Sequence, residues 1–307
     1  HVLGYFALRK CDVQMADDGY LRFFLNNQSY FQSGILDQGY WPDGLYTAPS
    51  DEALIYDIRA MKNMGFNMLR KHGKIETDRW YFHCDRMGML VWQDMPNGGS
   101  DYQHWFVTYL ATLLNWTRIP VKDIHARLLS RTDEDGRQEF VYELRDMIKA
   151  LYNEGWGQFS TKEVTDFIHR LDPSRLVDSA SGWFDQNCGD INSLHYYFLG
   201  LPIPKTERVL ALSEFGGYSL RIPKHSACRN IYGYKKFRNS KALTDGFSKL
   251  MKDTIVPSVK KGYSATIYTQ LSDIEEETDG LLTYDRRRVK MNPSTVQKWN
   301  KTLKDSL

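Results

Sequence analysis

The sequence predicts an α/β protein, and within that class a (β/α)8 barrel. Seven short apolar runs alternate with helical stretches or loops, which is the pattern of a parallel sheet. A chain of 307 residues accommodates such a barrel after an opening hairpin. Polar and aromatic residues gather where the strands end, and that edge carries the functional groups of these barrels. An open doubly wound sheet is the alternative, but it usually begins with a glycine-rich phosphate loop, and "GILDQGYWPDG" is not one.

The composition argues against several functional classes. The chain has 40 basic and 38 acidic side chains and a net charge of +2, so there is no electrostatic footprint for nucleic acid or an anionic membrane. No apolar run reaches the roughly 20 residues of a membrane span. The four cysteines form no C-x-x-C pair, which predicts free thiols. We therefore expect no metal, no cofactor, no nucleic-acid partner and no membrane partner.

The first elements along the chain are two β-type runs at residues 2–8 and 20–25, and the polar "ADDGY" between them predicts a turn. The apolar run "YFQSGIL" is the first predicted barrel strand. A helix follows it in "APSDEALIYDIRAMKNMG", where Ser50 is the predicted N-cap and Gly65 the stop.

The same unit of strand and helix then recurs. "FNMLR" predicts a strand, the helix in "ETDRWYFHCDRMG" is bounded by Thr77 and Gly88, and "MLVWQDMP" is a third strand. Four later strands are predicted in "RLVDSASGW", "DINSLHYY", "RVLALSEFGG" and "YSATIYTQLSD", with helices at 161–171, about 241–258 and 294–304. An eighth strand has to be found elsewhere to complete a barrel.

The segment "RDMIKALYNEGWGQFS" is the least regular part of the pattern. Apolar residues recur at intervals of three and four before and within it: Phe140, Val141, Leu144, Met147, Ile148 and Leu151. This spacing predicts one amphipathic helix that runs almost to Asn153 and Glu154.

Functional residues of such a barrel lie at the carboxyl ends of its strands. Those positions hold Asp37, Gln38, Arg70, His72, Gln93, Asp94, Trp183, His195, Tyr196, Glu214, Gln270 and Asp273. The set is rich in carboxylates, amides and aromatic rings. It contains neither a nucleophile-elbow serine with a histidine base nor an H-E-x-x-H motif.

Two glutamates are the strongest chemical signals. Glu214 follows the buried run "VLAL" and precedes two glycines, which let a ligand or another backbone approach closely. Glu154 stands in "NEGWG", where Asn153 suits a sugar hydroxyl and Trp156 suits stacking on a sugar ring. The structural alternatives are a helix-capping or arginine-paired Glu214 and a plain helix end at Glu154. Two glutamates at strand ends are what glycoside hydrolysis requires.

Other strand-end residues have two readings each. Arg70 either holds a carboxylate ionised, since an opposite charge lowers a carboxyl pKa, or closes the barrel end in a salt bridge. His72 and His195 are either sugar ligands or structural histidines with satisfied hydrogen bonds. The acidic run "DIEEETDG" is typical of a solvated loop, although Gln270 and Asp273 beside it can line the mouth of a site.

Eight motifs, in order, together resemble the catalytic barrel of glycoside hydrolase family 2, the β-galactosidase, β-glucuronidase and β-mannosidase group. They are "FLNNQSYFQSGILDQGYWPDGLYTAPSDEAL", "GFNMLRKH", "LVWQDMP", "NEGWGQF", "SGW", "LHYY", "LSEFGG" and "YTQLSDIEEETDGLLTYDR". The likeness covers nearly the whole chain from residue 20 onward.

This resemblance implies a retaining exo-β-glycosidase that acts on terminal β-linked sugars, β-galactosides first. Glu154 matches the acid/base, Asn153 the amide that binds the substrate 2-hydroxyl, and Glu214 the nucleophile. The remaining expected substrate-binding residues are Trp156, Arg70, His72, Asp94, Trp183, His195, Tyr196, Gln270 and Asp273. In a retaining mechanism the two carboxyl groups lie about 5 to 5.5 Å apart.

The resemblance also implies a domain organisation. Family members usually carry sugar-binding and immunoglobulin-like sandwich domains before the barrel. We therefore expect residues 1–19 to be the remnant of a preceding sandwich and linker and residues 20–307 to be the barrel, with a carbohydrate as partner. By the same resemblance, the full-length protein has sandwich domains that are missing here and is secreted or periplasmic.

One departure from the family concerns the approach to Glu154. In relatives a loop and an apolar fourth strand precede the asparagine-glutamate pair, whereas here the predicted helix abuts it and leaves no room for either. Either the helix stops near Met147 and "IKALYN" becomes an improvised strand, or the barrel is incomplete. Two alternative functions follow: a catalytically impaired barrel that only binds carbohydrate because Glu154 is displaced, and a glycosidase of another barrel family.

Overall fold

Six parallel strands form the main sheet of the protein. The computed structural model describes residues 4–6, 8–96, 103, 105–116, 121–124, 126–129, 131–147, 152–197 and 200–307. The strands are β1 Cys11–Met15, β2 Leu21–Leu25, β3 Gln28–Ser29, β4 Gln32–Asp37, β5 Met68–Lys71, β6 Leu90–Gln93, β7 Tyr152–Asn153, β8 Ala180–Ser181, β9 Ile191–Tyr196, β10 Val209–Gly216, β11 Tyr218–Ser219, β12 Lys235–Lys236 and β13 Tyr263–Thr269.

Helices separate most of these strands along the chain. The α-helices are α1 Asp51–Asn63, α2 Asp78–Met87, α3 Ala111–Trp116, α4 Ala126–Leu129, α5 Glu134–Met147, α6 Thr161–Leu171, α7 Ser240–Leu250, α8 Val256–Val259 and α9 Pro293–Lys304. Two stretches of π-helix, Trp105–Leu110 and Met251–Ile255, run into α3 and α8.

The main sheet has the strand order β6-β5-β4-β13-β10-β9, and all its neighbours are parallel. The strands β7 and β8 pair with each other in a separate parallel ladder. The prediction of a mostly parallel α/β sheet is therefore confirmed. Within the part of the chain that the structure describes, hydrogen bonds between strands do not close the sheet into a barrel.

All seven predicted barrel strands are present, and they differ in length. The run "RLVDSASGW" keeps only the two residues of β8 as strand. The described part of the predicted long helix is α5, which reaches Met147, and β7 supplies two strand residues directly before Glu154. Residues 148–151, the rest of "IKALYN", lie outside the described residues. The chain thus reaches Glu154 from a strand, as one of the two predicted arrangements requires.

The opening hairpin is shifted relative to the sequence prediction. The described part of residues 2–8 is not in a strand, and Tyr5, Phe6 and Leu8 are exposed. The first strand is instead β1, which pairs with β2 across the predicted turn at residues 16–20. The reason is local. Every residue of β1 pairs with one of β2, whereas the described residues between 4 and 10 pair with no strand.

The hairpin anchors itself to the main sheet through β2. Phe23 is buried in a cluster with Ile191, Val209 and Ala265 at the start of β9, β10 and β13. Arg22 is fully buried and donates hydrogen bonds to the carbonyl groups of Tyr263 (2.6 Å) and Val259 (2.7 Å). These contacts hold the hairpin across the amino ends of the strands.

Helix boundaries follow the predicted capping residues with one exception. The Ser50 side chain accepts a hydrogen bond from the Ala53 amide at the start of α1. Thr77 occupies the N-cap position of α2 but makes no side-chain capping bond, while Gly88 ends that helix in a left-handed conformation. Gly65, the predicted stop of α1, comes directly after Met64, the C-cap residue of that helix.

The free edge of β6 borders a cavity of about 550 Å³. Its lining includes Leu90 and Trp92 of β6, Ile191 of β9 and residues 9–12. This is the place beside β6 where a fourth full-length strand was expected.

None of the described helices is long and apolar enough to cross a membrane, and all four cysteines are free thiols.

Candidate active site

Arg70, at the end of β5, organises a charged site at the carboxyl edge of the main sheet. Its side chain is fully buried and forms a two-pronged ion pair with Asp94 at 3.0 and 2.8 Å. It also donates to the Ser213 carbonyl (2.9 Å), to Glu214 Oε1 (3.0 Å) and to Asn153 Oδ1 (2.9 Å). A guanidinium has five N–H groups, and the five hydrogen bonds of Arg70 use all of them.

Glu214 lies near the end of β10 and is buried beside Arg70. Its Oε1 lies 3.5 Å from His195 Nε2, and its Oε2 accepts a 2.6 Å hydrogen bond from Tyr197. Burial by itself raises the pKa of Glu214, but the charges of His195 and Arg70 and the Tyr197 hydrogen bond outweigh it and lower the pKa below the ordinary value. Glu214 is therefore ionised at neutral pH.

Tyr197, which the sequence analysis did not select, is the tyrosine of the site. The selected Tyr196 ends β9 and is a partly buried residue that packs against the main hydrophobic cluster, on the side of the strand away from Glu214. Side chains alternate along a strand, so Tyr197 points with His195 to the other side. Its ring stacks on Tyr234 at a centroid distance of 3.8 Å. Its position two residues after His195, which places both side chains on the same side of the strand, is the sequence signal that could have identified Tyr197.

Glu154 is presented by a tight turn after β7. Its amide donates to the Ser181 carbonyl at 3.0 Å, and its backbone φ is +52°, in the left-handed region that side chains rarely adopt. Strain of this kind is common at functional sites. Asn153, just before it, is buried and held by Arg70, and its Nδ2 has no acceptor among the described residues.

The two glutamates come together around His195. One side-chain ligand atom from each of Glu154, His195 and Glu214 lies within 4.8 Å of the other two. The imidazole is fully buried, with Nδ1 3.2 Å from Glu154 Oε1 and Nε2 3.0 Å from Ser181 Oγ. Trp183 packs edge-on against the His195 ring at 5.1 Å. The structure thus places His195 between the two glutamates and Trp183 against the His195 ring.

His72 and Asp94 extend the same network. Asp94 Oδ2 lies 2.8 Å from His72 Nδ1 as well as 2.8 Å from Arg70. Burial raises the pKa of Asp94, but the charges of Arg70 and His72 prevail and lower it. Burial lowers the pKa of His72, and the hydrogen bond and charge of Asp94 reverse this, so its pKa is raised. His72 therefore carries positive charge to higher pH than a free histidine.

A cluster of two amides and two carboxylates borders the site, and we call Gln38, Gln270, Glu277 and Asp279 the acidic wall. Gln270 Nε2 donates to Glu277 (2.9 Å) and Asp279 (2.8 Å), and its Oε1 accepts from Gln38 (3.0 Å). Burial raises the pKa of Glu277 to about 7. The prediction of a solvated acidic loop holds for residues 275 and 276, which are exposed, and fails for Glu277 and Asp279.

Asp273, predicted to bind substrate, has a different role. Its side chain is fully buried and paired with the equally buried Lys290, and it accepts a hydrogen bond from the Gly280 amide at 3.0 Å. A carboxylate enclosed in this way is not available to a substrate, so this assignment was wrong. The pair ties together the loop that follows β13. Trp156 is 38% exposed on the turn after Glu154.

Among the described residues, Glu154, His195 and Glu214 are also the group that could hold a metal ion. Their donor set of two carboxylates and one imidazole is one that zinc accepts. The same atoms, however, are already engaged with Arg70, Tyr197 and one another. The positive charge that keeps Glu214 ionised comes from the protein itself.

The chain is an α/β protein with a charged cluster at the carboxyl edge of its parallel sheet, the edge at which proteins of this class bind ligands. No sequence-family profile and no curated protein sequence matches it. The structure is similar to a β-D-glucuronidase from Dictyoglomus thermophilum (TM-score 0.66, 13% identity, 96% of this chain and 54% of that one). It is also similar to a family 2 β-galacturonidase from Eisenbergiella tayi (0.62, 14%, 97% and 54%) and to a β-glucuronidase from Parabacteroides merdae (0.58, 16%, 91% and 38%).

These comparisons identify the fold. The chain has the fold of the catalytic domain of glycoside hydrolase family 2, as the motifs indicated. It spans between 38% and 54% of the length of the three structures named. At 13% to 16% identity the likeness concerns the fold, and the activity has to be argued from the site.

Proposed function

We propose that the protein is a retaining glycoside hydrolase that removes terminal β-linked sugars, with Glu214 as nucleophile and Glu154 as acid/base. The observation that carries the proposal is the approach of the two carboxylates, whose nearest oxygens lie within 4.8 Å of each other. A close pair is the retaining arrangement, because an inverting enzyme needs a wider gap for water. The enzyme class is supported by the family 2 glycosidases that share the fold.

The environment of Glu214 suits a nucleophile. A nucleophilic carboxylate has to be ionised, and Arg70 and Tyr197 both stabilise the negative charge. In the first step Glu214 forms a bond to the anomeric carbon while the glycosidic bond breaks and the leaving oxygen takes a proton from Glu154. In the second step Glu154 removes a proton from water, whose oxygen displaces Glu214.

The environment of Glu154 suits an acid/base that must change its protonation state. Its side chain is 34% exposed, so water can reach it. His195 contacts both carboxylates, with Nδ1 3.2 Å from Glu154 Oε1 and Nε2 3.5 Å from Glu214 Oε1. The Nδ2 group of Asn153 is oriented by Arg70 toward the same space and can donate to a sugar hydroxyl.

The proposal includes a complete barrel and a domain division. The strands β6 and β9 are the two edges of the main sheet and do not pair with each other. Along the chain, β7 and β8 come between these two edge strands. We propose that these eight strands form the (β/α)8 barrel around the site. The division into residues 1–19 and 20–307 remains part of the proposal, with β1 paired across the boundary to β2. A β-galactoside is the first substrate to test.

Replacement of Glu214 is the direct test. Glu214→Gln keeps the shape of the side chain and removes the nucleophile, so release of nitrophenol from aryl β-glycosides should fall by roughly 10³-fold or more. Glu207→Gln, an exposed glutamate just before β10, is the matched control and should retain the rate. An unchanged rate in Glu214→Gln contradicts the assignment.

The stereochemistry of the product separates the alternatives. Proton NMR of the first product should show the β-anomer, because two displacements restore the configuration. An inverted product would favour a glycosidase of another barrel family. A binding-only barrel requires a displaced Glu154, and the contact between Glu154 and His195 lends that alternative no support.

A further inference from the structure

We propose that the site selects a sugar without a carboxylate, and that Glu277 of the acidic wall is the residue that rejects uronic acids. This inference rests on the glycosidase function proposed above and names its substrate class, a neutral pyranoside. Three features of the site support this inference: the position of Glu277, the space that its side chain faces, and the pairing of the cations that a charged substrate would need.

Glu277 is held in place through one of its two oxygens. Its Oε2 accepts hydrogen bonds from Gln38 Nε2 (3.1 Å) and Gln270 Nε2 (2.9 Å). Its Oε1 has no hydrogen-bond partner among the described residues and is accessible to solvent. An oxygen in this position can accept a hydrogen bond from a sugar hydroxyl.

The acidic wall and the catalytic glutamates share one space. Tyr197, which donates to Glu214, also lies 3.1 Å from Thr269 Oγ1, and the next residue, Gln270, donates to Glu277 and Asp279. Tyr232, whose backbone pairs with Glu277, packs edge-on against Tyr234, and Tyr234 stacks on Tyr197. A sugar whose anomeric carbon lies at Glu214 therefore extends toward the acidic wall.

Three cations of the described part of the site, Arg70, His72 and Lys290, are each already paired with a carboxylate of the protein. All five N–H groups of Arg70 are used. His72 is paired with Asp94 through Nδ1, and the ammonium group of Lys290 is fully buried against Asp273. A uronate would bring a further negative charge beside Glu277 and Asp279, and unpaired like charges in an interface are strongly unfavourable.

Matched sugars that differ only at C6 test this directly. Binding of phenyl 1-thio-β-D-galactoside and phenyl 1-thio-β-D-galacturonide, and of the matching gluco pair, is measured by calorimetry at about pH 8. Glu277 is ionised there because its pKa is about 7. The neutral member of at least one pair should bind at least about tenfold more tightly. Equal or tighter binding of the uronide, or binding of neither member, overturns the inference.

Two variants assign the discrimination to Glu277. Glu277→Gln removes the charge at nearly constant shape and should reduce the preference for the neutral sugar by about tenfold. Glu276→Gln makes the same charge change in the same loop on an exposed side chain and should leave the preference unchanged. Thermal unfolding of both variants checks that they are folded. A preference that Glu277→Gln leaves unaltered contradicts the role of Glu277.

Turnover of the oxygen-linked aryl glycosides separates this inference from the proposed function. Tight binding of the neutral thioglycoside without any hydrolysis of its oxygen analogue supports the substrate class and contradicts the hydrolase. Efficient hydrolysis with preference for the uronide supports the hydrolase and contradicts the substrate class.

Discussion

Glu214 keeps its negative charge in a buried position because three kinds of partner replace the water it has lost. His195 and Arg70 supply favourable charge, the Arg70 charge through a direct hydrogen bond, and Tyr197 supplies a neutral hydrogen bond. Since the net effect is a lowered pKa, removal of any one partner should move that pKa upward.

Replacement of the tyrosine should therefore change both rate and pH dependence. We expect Tyr197→Phe to lower kcat/KM about 10- to 100-fold, since a hydrogen bond to a charged group contributes about 1.5–3 kcal/mol. The pKa of Glu214 should rise, so the acidic limb of the profile of kcat/KM against pH should shift to higher pH.

The neighbouring Tyr196→Phe is the control for this prediction, because that ring packs in the core. It should leave the acidic limb in place. A profile that Tyr197→Phe does not shift would mean that the limb reports another group.

The turn after β7 shows how a short element positions Glu154, the proposed acid/base. Two strand residues pair with β8, and the chain then turns through left-handed conformations at Glu154 and Gly155. A Cβ atom on Gly155, whose φ is +76°, would come 2.3 Å from the Phe184 ring. The turn thus depends on this glycine both for its conformation and for space.

Substitution of this glycine should separate activity from general stability. We expect Gly155→Ala to lower kcat at least about tenfold, because the turn has to move and Glu154 moves with it. The left-handed conformation itself should cost about 1–2 kcal/mol of stability. Activity assays and urea unfolding measure the two effects.

Gly19→Ala is the matched control at this scale. Its φ is +79°, and a Cβ there would contact nothing within 4 Å. It should show the loss of stability without the loss of kcat. If the two variants have the same kcat, the turn does not position Glu154 in the way described.

For the whole molecule, the hairpin across the amino ends of the strands couples residues 11–29 to the core of the main sheet. Phe23 is buried against Trp92 and the starts of three strands, far from the edge that carries Glu214. We expect Phe23→Ala to lower the free energy of unfolding by about 3–5 kcal/mol, as large-to-small changes in cores do. The kcat/KM of the folded fraction should not change.

Denaturant unfolding followed by tryptophan fluorescence measures this difference. Phe6→Ala removes the same group from a ring that is 89% exposed and should have almost no effect on stability. A similar loss in both variants would show that the hairpin does not pack as described.

Sequence alone determined the elements and the two glutamates of this protein. The six strands of the main sheet and β8 were visible as apolar runs, and Glu214 and Glu154 stood at the ends of such runs or beside distinctive neighbours. These signals are local, because strand pattern and the residue after a strand depend on a few adjacent positions. The capping residues Ser50 and Gly88 were predictable for the same reason.

Only the tertiary structure decided which side chains meet. Tyr197 replaces Tyr196 because strand alternation and the irregular pairing of β9 with β10 determine which ring faces Glu214. Glu277 turns inward from an acidic loop because its partners Gln38 and Gln270 come from β-strand ends 239 and 7 residues away. Charge pairing and burial depend on contacts between distant parts of the chain, so no local pattern in the sequence could specify them.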